Sequence, residues 1–427
     1  MFDTPLSAQE LESLAGGDVR RWADFDLAVR RWWRPNLNLR TADLGSRPRR
    51  EVLAEAACHG DGRVRQAAVE WLAAGDELEA LPLLLIRCVD WVAPVRAAAR
   101  QAVAAKLDES SLRAMLPLIA VLGRRQVDDW MTTLFRENLP RVLDTALALE
   151  DRTSRRWAHT EALGLLPRER LLRIARRDHD LVVRTLCGDA LLDRGEFVEE
   201  LLAAGSPRVR MRALTLVGPA TVEAHLADRS SLVRSMAQFL VRKAGGDPAA
   251  HYRALPASPS AIAGLGETGT EADAGQLEQH LTDDRPRVRA LAVRGLRRIA
   301  PDSTAVRPLL TDPSSVVVRQ VVAFLRGKAV EVAVLRELLG EDRPLPTRRA
   351  AAALLRDGDT WLRLHTDLAL LRDNDLAADA RRDLENWLLQ SAGIYSAPLP
   401  ELAAAIDGLL TRVPEETARR IRFTLPR

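Results

Sequence analysis

The sequence predicts an all-α fold, an α-solenoid in which helical hairpins stack one after another. Two segments, DDRPRVRALAVRGLRRIA and DPSSVVVRQVVAFLRGKA, follow the same pattern, with Val288 and Arg289 in the first matching Val318 and Arg319 in the second. In both, apolar residues recur at three- and four-residue intervals, which is typical of one buried helix face. An acidic turn opens each helix, and a shorter apolar run at residues 303–310 lies between them. One hairpin repeated along 427 residues indicates an array rather than a single large core.

Residues 1–50 differ from the rest and are predicted to form N-terminal capping helices. A short helix is expected from Pro5 to Ala15, because Ser7 and Glu10 form a capping-box pattern. The segment RRWADFDLAVRRWWRPNLNLR follows, and nine arginines stand between Arg20 and Arg50 against three aspartates. We expect this Arg/Trp-rich region to cover the apolar face that the first repeat would otherwise expose.

Residues 51–390 are predicted to form the repeat array, and each unit carries a recurring pair of charges. The marker is an acid, five intervening residues and then an arginine, usually after an apolar residue. It occurs as Asp90/Arg96, Glu150/Arg156, Asp178/Arg184, Asp228/Arg234, Asp283/Arg289, Asp342/Arg348 and Asp375/Arg381, with looser copies at Arg65, Arg210 and Arg319. Residues 391–427 contain two further apolar-periodic segments, so we expect C-terminal capping helices there.

The marker pair is interpreted as structural. An acid at a helix start accepts hydrogen bonds from unpaired backbone N–H groups and favours the positive end of the helix dipole. The arginine one turn later is placed to contact the acid of its own or the neighbouring unit. We therefore predict a ladder of ion pairs through the stack, in which Arg289 ties adjacent repeats together.

The composition and motifs exclude several classes of site. No HExxH, CxxC, phosphate-loop or serine-elbow pattern occurs, and the seven histidines are dispersed. Gly264 to Gly269 (GLGETG) is interpreted as a helix end. The three cysteines (Cys58, Cys88 and Cys187) have no metal-ligand spacing, so we expect no metal, no cofactor and a reducing, cytoplasmic location. No apolar run reaches a membrane-spanning length, and no signal peptide is expected.

The global charge does not identify a partner. The chain carries 62 basic residues against 59 acids, a net charge of +3, and only Lys106, Lys243 and Lys328 are lysines. Such a balance is typical of a solvated helix surface.

The repeated segments DHDLVVRTLCGDAL, DRSSLVRSMAQFL and DDRPRVRALAVRGL carry a D-x-x-V-R-x-x-A pattern. In this they resemble the HEAT-like repeats of the phycobilisome-lyase type, over roughly Arg50 to Leu389. The resemblance implies a right-handed solenoid whose second helices line a concave surface, the usual binding face of such arrays. The name of this repeat type also suggests a chromophore lyase as a third class, but no residues indicate a chromophore pocket.

A second resemblance concerns the tryptophans, seven of which lie within the first 157 residues. Bacterial HEAT-like DNA glycosylases use a carboxylate and tryptophans to remove alkylated bases, because a carboxylate stabilises the cationic sugar and indoles attract cationic bases. This resemblance implies Asp90, Asp128 and Asp129 as candidate carboxylates. Trp91, Trp130 and Trp157 would be the aromatic walls, and Arg30, Arg31 and Arg34 would contact phosphates. The alternative interpretation is that the rings fill the seams between repeats.

The principal hypothesis is a non-catalytic interaction scaffold that binds a protein partner on the concave surface. The alternative is a nucleic-acid-binding protein or alkylbase glycosylase using the residues just named.

Overall fold

The computed structural model describes residues 6–31, 39–45, 48–75, 79–123, 129–394 and 396–425, without the side chains of residues 31 and 392. Within these ranges all regular structure is helical, and no β-strand is present. The chain divides into two compact units, Met1–Leu216 and Val217–Arg427, each taken by itself below. The predicted all-α class is confirmed. The boundaries expected at residues 50 and 390 stay predictions.

The first unit contains thirteen α-helices within its described residues. They are α1 (Ala8–Ala15), α2 (Arg21–Arg31), α3 (Arg50–Ala57), α4 (Gly62–Ala74), α5 (Ala80–Arg87), α6 (Ala93–Lys106), α7 (Glu109–Leu122), α8 (Trp130–Leu147), α9 (Arg152–Ala162), α10 (Arg168–Arg177), α11 (Leu181–Leu192), α12 (Val198–Ala204) and α13 (Pro207–Ala213). Short 3-10 helices lie at Thr41–Leu44 and Leu214–Leu216.

These helices pack as stacked hairpins. α3 contacts α4 and α5 contacts α6 within hairpins, while α4 also contacts α6 and α3 also contacts α5 between hairpins. The same alternation continues from α9 to α11 and from α11 to α13. α8 interrupts it, because the helix bends at Val142, just after the internal Pro140. The second helices α4 and α6 therefore lie side by side, as do α9, α11 and α13.

The second unit repeats this arrangement. Its α-helices are α14 (Pro219–Ala224), α15 (Ser231–Lys243), α16 (Pro248–Ala254), α17 (Pro259–Thr268), α18 (Ala274–Glu278), α19 (Pro286–Ile299), α20 (Ser315–Leu325), α21 (Val332–Glu337), α22 (Leu345–Arg356), α23 (Thr360–Leu370), α24 (Ala377–Gln390), α25 (Pro400–Leu409) and α26 (Glu415–Thr424). Its 3-10 helices are Glu271–Asp273, Gln279–Thr282, Thr304–Thr311, Ser391–Gly393 and Leu410–Arg412.

The second helices α17, α19, α20 and α22 contact one another in sequence order and form a row. α19 and α20 belong to the two matched sequence segments, and the run between them folds as the 3-10 helix Thr304–Thr311. The two predicted terminal helices are present as α25 and α26. At the other end of the chain, Ser7 and Glu10 form the predicted capping box at the start of α1.

The GLGETG segment ends a helix, as predicted, and two of its glycines also allow close packing. Gly269 caps α17 as expected, but Gly264 and Gly266 lie inside that helix. A Cβ at Gly264 would overlap the ring of Tyr252, and a Cβ at Gly266 would meet the backbone of Gly295 in α19. These glycines let α17 approach its neighbours closely.

Candidate functional site

Four of the marker arginines, Arg65, Arg234, Arg289 and Arg348, join successive hairpins through two kinds of contact. One guanidinium nitrogen binds the turn before its own helix: Arg289 Nη1 donates to the Asp283 carbonyl at 2.7 Å. The other two nitrogens bind the acid that precedes the next second helix. Arg289 Nε lies 2.7 Å from Asp312 Oδ2, and Arg289 Nη2 lies 2.9 Å from Asp312 Oδ1. The predicted role of Arg289 as a tie between repeats agrees with this geometry.

Forward ion pairs recur in both units, although Glu267 lies in the last turn of α17 instead of before a helix. They join Arg65 to Asp90 and Arg156 to Asp180 in the first unit, and Arg234 to Glu267 and Arg348 to Asp373 and Asp375 in the second. Of the two predicted partners, these arginines bind the acid of the neighbouring unit, and the acid six residues before Arg234 or Arg289 contributes its carbonyl instead. Arg65 was classed as a loose copy, yet its side chain is fully buried.

The acids also serve the helix that follows them. Asp90, Asp180 and Asp312 each accept a hydrogen bond from the backbone N–H two residues later, at 2.8–2.9 Å. A carboxylate at a helix start satisfies otherwise unpaired donors there. Asp180 therefore caps α11, Asp90 and Asp312 fix the turns that lead into α6 and α20, and each also holds the arginine of the preceding hairpin.

Asp90, the first candidate carboxylate, lies at the centre of a buried network in the first unit. Arg65 binds it through two hydrogen bonds of 2.8 and 2.9 Å, and Arg87 Nη1 donates to Asp90 Oδ2 at 3.1 Å. Arg30 Nη2 lies 3.5 Å from the same oxygen. Asp26 completes the network by pairing with Arg30 and Arg87. α2, α4 and α5 are joined by this cluster.

The network determines the protonation state and access of Asp90. Burial acts to raise the pKa of Asp90, but hydrogen bonds from Arg65 and the Val92 N–H, with the charge of Arg87, outweigh it and lower the pKa. The side chain has no exposed surface. Asp90 is thus an ionised carboxylate closed to solvent, and its geometry is that of a structural ion-pair centre.

Trp91 and Arg30, two of the candidate binding residues, lie in contact with each other. The Trp91 ring is 64% exposed, and the guanidinium carbons of Arg30 and Arg65 lie 4.5 and 4.6 Å from its centroid. These distances are in the cation–π range. The Trp91 side chain is exposed to solvent, and Arg30 and Arg65 of the same protein already make its cation–π contacts.

The other two tryptophans occupy separate seams. Trp130, at the start of α8, lies 5.0 Å from the Arg100 guanidinium, beside the exposed Asp129. Trp157 stacks on Phe135 with ring centroids 4.2 Å apart, and a Cβ at Gly123 would touch its ring. Trp157 therefore fills a helix seam. Asp128, Arg34 and the side chain of Arg31 lie outside the described residues.

A second buried cluster lies in the last part of the second unit. Asp367, whose side chain is fully buried, accepts a hydrogen bond from Arg356 Nε at 2.7 Å. The nearby Asp383 accepts two hydrogen bonds of 2.8 Å from Arg363. Burial, together with a hydrogen bond shared with Asp383, raises the pKa of Asp367 to about 8. Burial of Asp367 therefore favours its protonated form, while the ion pair with Arg356 opposes it.

The row of second helices in the second unit has an unusual composition. α19, α20 and α22 contain five, one and three arginines, and none contains an aspartate or glutamate. The acids of these hairpins stand in the turns instead, where they cap helices and pair with the marker arginines. The exposed side chains on this row are therefore apolar, small or positively charged.

An open groove lies between α20 and α22. Its floor is apolar and is formed by Val318, Val322, Ala323, Pro346, Ala350 and Ala353. Three exposed arginines border it, namely Arg319, Arg326 and Arg349, and Ser315 closes one end. Its volume of about 560 Å³ is within the range of ligand-binding clefts. We call this the α20–α22 groove.

The arginines of the groove differ from the marker arginines in their partners. Arg319 Nε donates to the Ser315 carbonyl at 3.2 Å, and Arg349 Nε lies 3.9 Å from Asp379. No ion pair joins Arg319 or Arg326 to a carboxylate of the described residues. The sequence prediction did not include this groove, although the absence of acids from the three second helices α19, α20 and α22 was a visible signal.

Neither a metal-binding group nor a membrane-spanning helix is found among the described residues. No group of three histidine, cysteine, aspartate or glutamate side chains there is arranged to hold a metal ion. Among the same residues, no helix combines the length and the apolar character that crossing a membrane requires.

Comparison with known proteins identifies no family. No protein-family model and no curated protein matches the chain. Among solved structures, a chain from the structure of Kap95p bound to RanGDP is 13% identical, with a TM-score of 0.26 over 99% of this chain. This chain spans 62% of that one's length. An engineered protein is 16% identical, with a TM-score of 0.17 over 87% of this chain and 97% of that one. Because both TM-scores are low, the all-α hairpin fold rests on the helices of this chain itself.

Proposed function

We propose that this chain is an interaction scaffold that binds a protein partner on the exposed faces of its second helices. The observation that carries the proposal is the α20–α22 groove, which presents Val322, Ala323 and Ala353 to solvent on a surface that no other described helix covers. Apolar clefts with a few polar side chains at their borders are typical binding sites.

The positions of the other candidate residues support this choice over chemistry at Asp90. Asp90 is closed to solvent and saturated by guanidinium groups, so it contributes to packing between α2, α4 and α5. Trp157 fills a seam. The groove, in contrast, leaves its side chains available to a partner.

The test is site-specific photocrosslinking in living cells. A photoreactive phenylalanine analogue at Ala353 should give discrete protein adducts, because Ala353 lines the groove. The control places the same analogue at Val334, an exposed apolar position on α21, the first helix of the same hairpin. Adducts of equal yield at both positions, or adducts at Ala353 that nuclease removes, would contradict the proposal.

A further inference from the structure

We infer that the partner of the α20–α22 groove is an acidic amphipathic helix of another protein, an inference that rests on the proposed function. Its apolar face would contact the floor of the groove, and carboxylates on its flanks would pair with Arg319, Arg326 and Arg349.

The charges of the second unit are arranged to favour this partner. The marker arginines Arg289 and Arg348 are neutralised by carboxylates of the following hairpin, at Nε–Oδ2 2.7 Å and Nη1–Oδ2 2.9 Å. The groove arginines are not matched in this way: Arg319 has only a carbonyl partner, and Arg349 has a single long ion pair. The positive charge at the border of the groove is therefore available for an external carboxylate.

The neighbouring helix extends the same charge. α19 carries Arg287, Arg294, Arg297 and Arg298 as exposed side chains and has no acid. A surface with one sign of charge attracts and orients a partner of opposite charge, and it disfavours one of like charge. An acidic segment approaching the groove would meet this field before contact.

The floor favours a helix over a phosphate backbone. Val318, Val322, Pro346, Ala350 and Ala353 provide no hydrogen-bond donors, so a nucleic acid could use only the border. Amphipathic helices bind such grooves with apolar residues at three- and four-residue intervals. Small alanines on α22 leave the space that larger partner side chains need.

The space in the groove can receive side chains of this partner. About 560 Å³ lies open between two neighbouring helices, so several apolar side chains of a helix lying over the groove could enter it. Arg319 and Arg326 border the groove on the α20 side, and Arg349 borders it on the α22 side. A partner helix lying in the groove would therefore place the carboxylates of its two flanks near these two sets of arginines.

The experiment uses the full chain and two designed helical peptides, each with leucines along one face. One has glutamates on both flanks and the other has lysines at the same positions. Fluorescence anisotropy should show binding of the acidic peptide only, weakened by added salt because the charge pairs are exposed. Equal binding of the two peptides, or of neither, would overturn the inference.

Charge-reversal variants locate the contact. Arg319→Glu combined with Arg349→Glu should weaken binding of the acidic peptide by about tenfold or more and should create binding of the lysine peptide. The matched control is Arg336→Glu, an exposed position on α21 outside the groove, which should change the affinity by less than about twofold. Val322→Ser should weaken binding while leaving its salt dependence unchanged. Circular dichroism of every variant confirms that it is folded.

The outcomes separate the two proposals. If Ala353 crosslinks to a protein while the peptides bind without charge preference, the chain remains a scaffold and the acidic partner is wrong. If a DNA duplex displaces the acidic peptide and its own affinity falls steeply with salt, nucleic acid is the ligand of this surface and both proposals fail.

Discussion

Arg289 and Asp312 form a two-point ion pair across adjacent hairpins, with Nε–Oδ2 and Nη2–Oδ1 distances of 2.7 and 2.9 Å. Both side chains are largely buried. Asp312 also accepts a hydrogen bond from the Ser314 N–H at the start of α20. One carboxylate therefore fixes a helix start and a hairpin seam together, and replacing its partner affects both.

Arg289→Ala is predicted to lower the free energy of unfolding by about 1.5–3 kcal/mol, the usual contribution of a hydrogen bond to a charged group. Urea denaturation followed by circular dichroism measures the change as a lower midpoint. The matched control is Arg319→Ala, at the corresponding position of the next unit. Since Arg319 is exposed and binds only a carbonyl, its replacement should cost about 0.5 kcal/mol or less. Equal midpoints for the two variants would show that the Arg289 contact is not structural.

Asp90→Asn is predicted to destabilise the first unit by about 3–5 kcal/mol. The substitution keeps the shape of the side chain but leaves Arg30, Arg65 and Arg87 with Asp26 as the only carboxylate of the network, and breaking a buried ion pair has a cost of this size. Asp129→Asn, at the exposed start of α8, is the control and should leave the thermal midpoint nearly unchanged. If the Asp90→Asn protein had the wild-type midpoint, Asp90 would not be a structural residue and would again be a candidate functional carboxylate.

The lowered pKa of Asp90 gives the same residue an acid dependence. Hydrogen bonds from Arg65 hold the folded-state pKa below the ordinary value of 3.8, so the stabilisation by this group is present above that value. It is lost as the pH falls through the lower, folded-state value. The stability difference between wild type and Asp90→Asn should therefore be constant at neutral pH and shrink below about pH 4. Denaturation at a series of acidic pH values measures it.

Asp367 is predicted to give the opposite pH dependence. Burial raises its pKa from 3.8 to about 8, so the folded protein holds a proton that the unfolded chain releases. The contribution to stability is fully present below about pH 4 and is lost as the pH rises to about 8. Asp367→Asn, which mimics the protonated acid, should therefore gain stability relative to wild type over that interval, and the difference should level off above it.

Denaturation of wild type and Asp367→Asn at several pH values tests this prediction. Asp342→Asn, an exposed position on the turn before α22, is the control for removing a carboxylate outside the buried cluster. A stability difference for Asp367→Asn that stays constant between pH 4 and 8 would contradict the prediction.

Gly264→Ala is predicted to destabilise the second unit by about 1–3 kcal/mol, the usual effect of overpacking. The added methyl would overlap the Tyr252 ring, which is held in place by a 2.6 Å hydrogen bond to the Leu226 carbonyl. Gly275→Ala is the control, because Gly275 is an exposed residue of α18 with open space around it. That change should be neutral or stabilising, since alanine favours the helix. Destabilisation of similar size at both positions would attribute the effect to the backbone.

The sequence predicted local features well. The Ser7–Glu10 capping box, α25, α26 and the helical spacing of α19 and α20 depend only on neighbouring residues, and all are present. The sequence also predicted that Arg289 ties two repeats. It could not identify Asp312 as the acid, because the partner lies 23 residues away and is chosen by how the hairpins stack.

The candidate site was predicted only in part, for the same reason. Proximity in sequence grouped Trp91, Trp130 and Trp157, but the described contacts place Trp91 against Arg30 and Arg65, and Trp157 against Phe135. Asp26 and Asp90, 64 residues apart in the chain, share Arg87 through a tertiary contact that no periodicity marks. The α20–α22 groove exists only when two helices are side by side, although each helix alone already lacked acids.

The forward contacts of the marker arginines give the array a direction. Arg65, Arg156, Arg234 and Arg289 each bind a carboxylate 23–33 residues later in the chain. During synthesis each of these four arginines therefore emerges before its carboxylate partner has been made. If the preceding hairpin is removed, Asp90, Asp180 and Asp312 still accept a backbone hydrogen bond at the start of the next helix. If the following hairpin is removed, the arginine loses its carboxylate partner. Removing hairpins from the carboxyl end should therefore lower the stability of the array more than removing the same number from the amino end.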